Sequence, residues 1–125
     1  MKRLTLVLGL LGVLLSTAFG QEGNFLQAKI PFEFGAGGKT HSAGNYDFSV
    51  HNKFVTMKNK DTGKTVDLGF LTRIAADNTA TGKARISFDV QEGKHFIEAI
   101  WPAQGDGYLI HTVKGEHTHE IVRSQ

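Results

Sequence analysis

From residue 21 onward the chain alternates. In "FLQAKIPFEF" (Phe25 to Phe34), Leu26, Ala28, Ile30, Phe32 and Phe34 fall on one face, with Gln27, Lys29 and Glu33 on the other. A period of two marks a half-buried strand, because successive side chains of an extended chain point to opposite faces. Pro31 sits on the polar face with no N–H to donate, which suits an edge strand or a bulge. Tyr46, Phe48 and Val50 alternate with Asp47, Ser49 and His51, and "KFVTMKN" follows so closely that Asn52 and Lys53 are expected to form a tight hairpin turn. "NKDTGKT" is a further turn, with Asp61 to open it and Gly63 to supply a positive φ.

Val66, Leu68, Phe70, Thr72 and Ile74 then share a face opposite Asp67 and Arg73, and "AADNTATGK" (Ala75 to Lys83) reads as an exposed loop. "ARISFDV" turns Ile86, Phe88 and Val90 inward and Arg85, Ser87 and Asp89 outward. "QEGK" makes a second hairpin turn. "HFIEAIW" is apolar on both faces except at Glu98, as in a central strand covered on both sides. "YLIHTV" and "THEIV" close the chain and are expected to pair through the "KGE" turn. Helical periodicity is nearly absent. About eight short strands with turns at close intervals predict a single all-β antiparallel domain, a sandwich or a small barrel.

The first twenty residues follow another pattern. Lys2 and Arg3 precede an apolar run from Leu4 to Leu15, and Ala18-Phe19-Gly20 offers small residues at the positions a signal peptidase reads. The run is too short for a bilayer anchor, which needs about 20 apolar residues. No second such run follows, so no transmembrane anchor is expected in the mature chain. With no cysteine in the sequence, a lipid-anchored cleavage product is excluded. The reading is a signal peptide over residues 1–20 and an all-β domain over 21–125, exported to the periplasm or beyond, held together without disulfides.

Export changes the charge balance. The 14 basic residues include Lys2 and Arg3, so removing the signal leaves basic residues equal in number to the 12 acidic ones. The basic side chains are scattered, with "KNK" at Lys58 to Lys60 the densest spot. A nucleic-acid-binding domain concentrates positive charge on one face, so that class of partner is set aside.

"IPFEFGAGGKTHSAGNYDF" (Ile30 to Phe48) resembles a family of small exported bacterial β-proteins, mostly uncharacterised. Their N-terminal half carries I/V-P-F-x-F, then G-G-K-T, then A-G-x-Y. Here these are Ile30 to Phe34, Gly37 to Thr40, and Ala43 to Tyr46, and "ARISF", "GKHFIEAIW" and "GDGY" resemble the family's closing hairpin region. Ser42 stands where the family usually has proline before Ala-Gly. The resemblance implies a β-sandwich-like exported domain and transfers no activity. Physically, "GAGGKT" lacks the spacing of a phosphate-binding loop and lies between strands, with no helix dipole to face an anion.

Six histidines are candidates for chemistry. His117 and His119 in "GEHTHEIV" are two apart, so on a strand they project from one face with Cα atoms roughly 6–7 Å apart. Two imidazoles so placed suit one Zn²⁺, Cu²⁺ or Ni²⁺, with oxygen from Glu116 or Glu120 and a third nitrogen from His111 on the preceding strand. The competing account is a polar edge strand that discourages aggregation. His51 is expected to face solvent, His41 to be solvated in the glycine-rich connector, and His95 to be half-buried against a backbone partner. Trp101, Tyr108 and Phe96 are expected in the core, with sugar or protein recognition as the alternative.

No G-x-S-x-G elbow, cysteine nucleophile or H-E-x-x-H motif is present. Asp89 and Glu98, on adjacent strands of a hairpin, are the pair of carboxylates closest to hydrolytic chemistry, with nothing in the sequence to mark them as buried. The first expectation is therefore an exported, non-enzymatic domain without a cofactor, acting by binding or assembly at the cell envelope. Its partners would be an envelope protein or further copies of itself, the latter through β-augmentation by residues 25–34. The second is a small exported metal-binding protein using His117, His119 and His111 to hold Zn²⁺ or Cu²⁺.

Overall fold

The computed structural model describes residues 24–75 and 83–125, with eleven strands and no helix among them. The expected signal segment and most of the loop expected at residues 75–83 lie outside the described residues. The strands are β1 (Asn24–Ile30), β2 (Phe34–Ala36), β3 (Lys39–His41), β4 (Gly44–His51), β5 (Phe54–Asn59), β6 (Thr65–Gly69), β7 (Thr72–Ile74), β8 (Arg85–Gln91), β9 (Lys94–Trp101), β10 (Gly107–Leu109) and β11 (Thr118–Arg123). They form two sheets rather than a closed barrel. One runs β1-β4-β5-β6; the other runs β11-β8-β9-β10-β7, with the β2–β3 hairpin added to β9 through β2. All pairings are antiparallel except that of β2 with β9.

The alternating residues make the core. Leu26, Ala28 and Ile30 from β1, Tyr46 and Phe48 from β4, and Val55 and Met57 from β5 meet Ile86, Phe88, Ile97 and Ile100 of the opposite sheet. Phe34 packs edge-on to Tyr46 and Phe88, with ring centroids 5.2 and 5.7 Å apart. Aromatic pairs in such geometry add about 0.5–1.5 kcal/mol beyond the area they bury.

Left-handed backbone marks the two tight hairpin turns. His51 pairs with Phe54 around Asn52 (φ 52°), and Gln91 pairs with Lys94 around Glu92 (φ 53°) and Gly93 (φ 76°). The two successive positive φ values at Glu92 and Gly93 match the twist of the flanking strands in a two-residue hairpin. The turn after β5 is organised by Asn59 rather than Asp61: the Asn59 Oδ1 accepts from the N–H groups of Asp61 and Thr62.

Several expectations are corrected. The stretches 25–34 and 66–74 are each two strands in opposite sheets, broken at Pro31 to Glu33 and at Phe70 and Leu71. Strand formation in "YLIHTV" stops at Leu109. β11 pairs with β8, residue for residue from Thr118↔Val90 to Arg123↔Arg85, and not with β10. Strict alternation also fails in β9. Ser87 faces Ala99 and Phe88 faces Ile97, so Glu98 is an extra residue, a bulge. The shift brings Ile100 as well as Ile97 into the core, while Trp101 lies outside it, with the Arg85 guanidinium 4.7 Å from its ring centroid.

Candidate metal centre

β8 turns Ile86 and Phe88 into the core, so Arg85, Ser87 and Asp89 occupy its outer face. All three are nevertheless buried, Asp89 to 1% exposure. β11 lies antiparallel on the free edge of β8 with His119 directly opposite Asp89. Residues directly opposite share a face, so His119, and His117 two positions earlier, stand over the buried carboxylate. Gly115, with φ at 92°, turns the chain into this strand.

The geometry around Asp89 is close. His119 Nδ1 is 3.0 Å and His117 Nε2 3.7 Å from Asp89 Oδ1. Two ligand atoms bound tetrahedrally at metal distances of 2.0–2.2 Å are about 3.4 Å apart, so the observed separations bracket the required value. One ligand atom from each of Asp89, His117 and His119 lies within 4.8 Å of the others. Asp89 Oδ1 is fully buried and makes no hydrogen bond of good geometry; its polar neighbours are the two imidazole nitrogens, at ion-pair distance. Buried polar atoms are rarely left so, since the lost solvation costs about 1–3 kcal/mol.

His117 is pre-set for coordination. Its Nδ1 lies 2.8 Å from the Gly115 carbonyl oxygen, which can only accept, so Nδ1 carries the proton. In the neutral ring the lone pair is then on Nε2, the nitrogen facing Asp89. Fixing the tautomer through the far nitrogen is the usual way a protein orients a ligating histidine.

Glu98 supplies a second carboxylate. Its bulge position sets it beside Ser87, whose Oγ donates to Glu98 Oε1 at 2.7 Å, and the same oxygen is 3.5 Å from His119 Nδ1. Burial, first, and then the Glu98 charge and the hydrogen bond the two carboxyls share raise the Asp89 pKa, against a smaller opposing pull from His117 and His119. Neighbouring carboxylates favour a proton or a cation between them.

The sequence pair His117 and His119 is thus brought together, and Asp89 takes the place expected of His111. The His111 N–H donates to the Glu98 carbonyl at 3.2 Å, and its exposed ring lies 6.1 Å from that of Phe96, on the other side of β9. Glu120 points away from the cluster, 3.3 Å from His95 Nε2. His95 is half-buried as expected, but it stacks on Phe32 at 3.7 Å and its polar partner is that carboxylate. His41 is half-buried rather than solvated, with Nε2 3.0 Å from the Ala36 carbonyl. His51 is exposed and contacts Ser49. Comparison with protein-family models, with curated proteins and with solved structures found no match to this chain.

Proposed function

We propose that the protein is an exported β-sandwich domain that binds a divalent transition-metal ion, Zn²⁺ or Cu²⁺, through His117, His119 and Asp89, and acts by holding the ion rather than by turnover. The observation that carries this reading is the buried Asp89 Oδ1, without a hydrogen bond, facing two imidazole nitrogens. Two nitrogens and one carboxylate oxygen suit either metal. Glu98 stands beside the cluster as a second negative charge to offset the ion.

The site is half open. Asp89 is buried, whereas the His119 side chain is 50% and the His117 side chain 27% exposed. Three protein ligands leave a coordination position on the solvent side, which suits an ion that is delivered and released more than one locked into the fold. The N-terminal pattern of residues 1–20 and the resemblance to small exported proteins support an extracytoplasmic setting.

Calorimetric titration of the purified protein with Zn²⁺, Cu²⁺ and Ni²⁺ tests the proposal, beside His117→Ala/His119→Ala and a peptide of sequence "GEHTHEIV". The expected result is one-to-one binding with Kd of about 1 μM or tighter, near −8 kcal/mol, lost in the double variant and much weaker in the peptide. Equal affinity for protein and peptide would reduce the pair to a polar strand edge.

A further inference from the structure

The "GAGGKT" segment forms the β2–β3 hairpin, turning through Gly37 (φ 61°) and Gly38 (φ 76°). This hairpin walls a second feature of the fold, a cavity of about 390 Å³ between it, the edge of β6 and the start of the chain beyond β10. The missing side chains matter here. A Cβ on Gly35 would lie 2.9 Å from the Phe96 ring, and one on Gly37 3.0 Å from Leu68 Cδ2, so these side chains pack on bare backbone.

The lining divides by polarity. Leu68, Ile97 and Ile110 are buried and form an apolar floor, while Lys39 and His111 are exposed at the rim. None of the lining residues carries a carboxylate. An apolar cleft of this size with a few polar groups at one end has the character of a small-molecule site. The Lys39 ammonium at the rim defines the sign of the group that would sit there, and the His111 imidazole adds a hydrogen-bonding group beside it.

We infer that this cavity binds a small amphipathic carboxylic acid, with its apolar chain against Leu68, Ile97 and Ile110 and its anionic end at Lys39 and His111. This inference is independent of the metal centre, with which the cavity shares no lining residue. It gives a role to His111, which does not join the metal cluster. It also gives one to the Gly-Gly-Lys-Thr run, which has no phosphate-loop geometry. The selectivity comes from charge: an acid gains an attraction at Lys39 that an alcohol lacks, and a cation of equal chain length is repelled.

The test is a ¹H–¹⁵N NMR titration of the purified protein in EDTA with sodium decanoate, decan-1-ol and decyltrimethylammonium, each below its aggregation limit. Decanoate is expected to bind saturably, with shifts concentrated at Gly37, Gly38, Leu68 and Ile110. Lys39→Glu, a change at an exposed position that leaves the fold intact, should weaken decanoate about fivefold and favour the cation instead. His117→Ala/His119→Ala should leave decanoate binding unchanged, so this result and that of the metal titration stand or fall separately. Shifts that fail to saturate, shifts centred elsewhere, or an affinity indifferent to Lys39→Glu would each overturn the assignment.

Discussion

Replacing Asp89 with asparagine should make the metal-free protein more stable and the metal-loaded protein less so. Asparagine keeps the shape of the side chain, removes its charge and adds an N–H₂ donor. In the wild type Asp89 is 1% exposed, its Oδ1 makes no hydrogen bond of good geometry, and the Glu98 carboxylate stands nearby. An unsatisfied buried acceptor costs about 1–3 kcal/mol, and a substitution that relieves part of that cost recovers about 1 kcal/mol. For a domain of this size 1 kcal/mol corresponds to a rise in Tm of about 4–8 °C.

The pH dependence has a definite sign. The folded-state pKa of Asp89 is raised above 3.8, first by burial and then by Glu98. The folded protein therefore holds this proton more tightly than the unfolded chain, and the resulting stability is fully present below the unfolded pKa. It is lost as pH rises through the folded value, where the carboxylate must ionise in place. The advantage of Asp89→Asn in EDTA should accordingly be full at neutral pH and shrink on acidification toward pH 3.8.

Metal reverses the order. An ion at 100 times its Kd stabilises the folded wild type by about 2.7 kcal/mol, and the variant, lacking one ligand, gains much less. Thermal melts of both proteins in EDTA and in excess Zn²⁺ should therefore cross. A variant less stable than wild type in EDTA would mean that the imidazoles already satisfy the carboxylate as a structural ion pair. The buried-acceptor argument would then fail, and with it the main support for a metal centre.

Two further substitutions probe the surroundings. Gly115→Ala places a side chain at φ 92° and should cost about 1–3 kcal/mol; by displacing the carbonyl that orients His117 it should also weaken Zn²⁺ binding up to about tenfold, read by calorimetry against an unchanged metal-to-protein ratio. Gly107→Ala drives a Cβ to within 2.6 Å of the Trp101 ring, so it should shift the emission of the single tryptophan, loosen its stacking under Arg85 and lower the unfolding free energy read from urea denaturation by about 1–3 kcal/mol, whereas unchanged emission would show that the ring yields freely.

The faces of the strands were legible in the sequence, but the sheets to which they belong were not. Leu26, Ile30 and Phe34 do share an inward orientation, yet the first two belong to one sheet and the third to the other. Both inner faces point into the same core, so a strand that ends at Pro31 and resumes in the facing sheet preserves its alternation. The same ambiguity hid the crossing at Phe70 and Leu71. Turn chemistry, by contrast, is local: Asn52 and Gly93 reverse the chain where their residue types predict.

The candidate site divides along the same line. His117 and His119 share a face because of a two-residue spacing, which any strand would enforce. Asp89 joins them only through the register of β11 on β8, a pairing between segments some thirty residues apart that no local pattern encodes. Pairing "THEIV" with the strand just before it was the simpler expectation, since sequential strands are usually neighbours. It fails because β10 already has both edges occupied, by β9 and by β7, which leaves β11 the open edge of β8. The bulge at Glu98 then completes the cluster. By setting Glu98 and Ala99 together opposite Ser87, it puts a second carboxylate against the Ser87 hydroxyl and within 3.5 Å of His119. A bulge interrupts ladder hydrogen bonds, and such interruptions concentrate beside functional sites, where they re-aim a side chain. Here the interruption gathers negative charge beneath two imidazoles on the outer face of the sheet, away from the core that the rest of β9 serves.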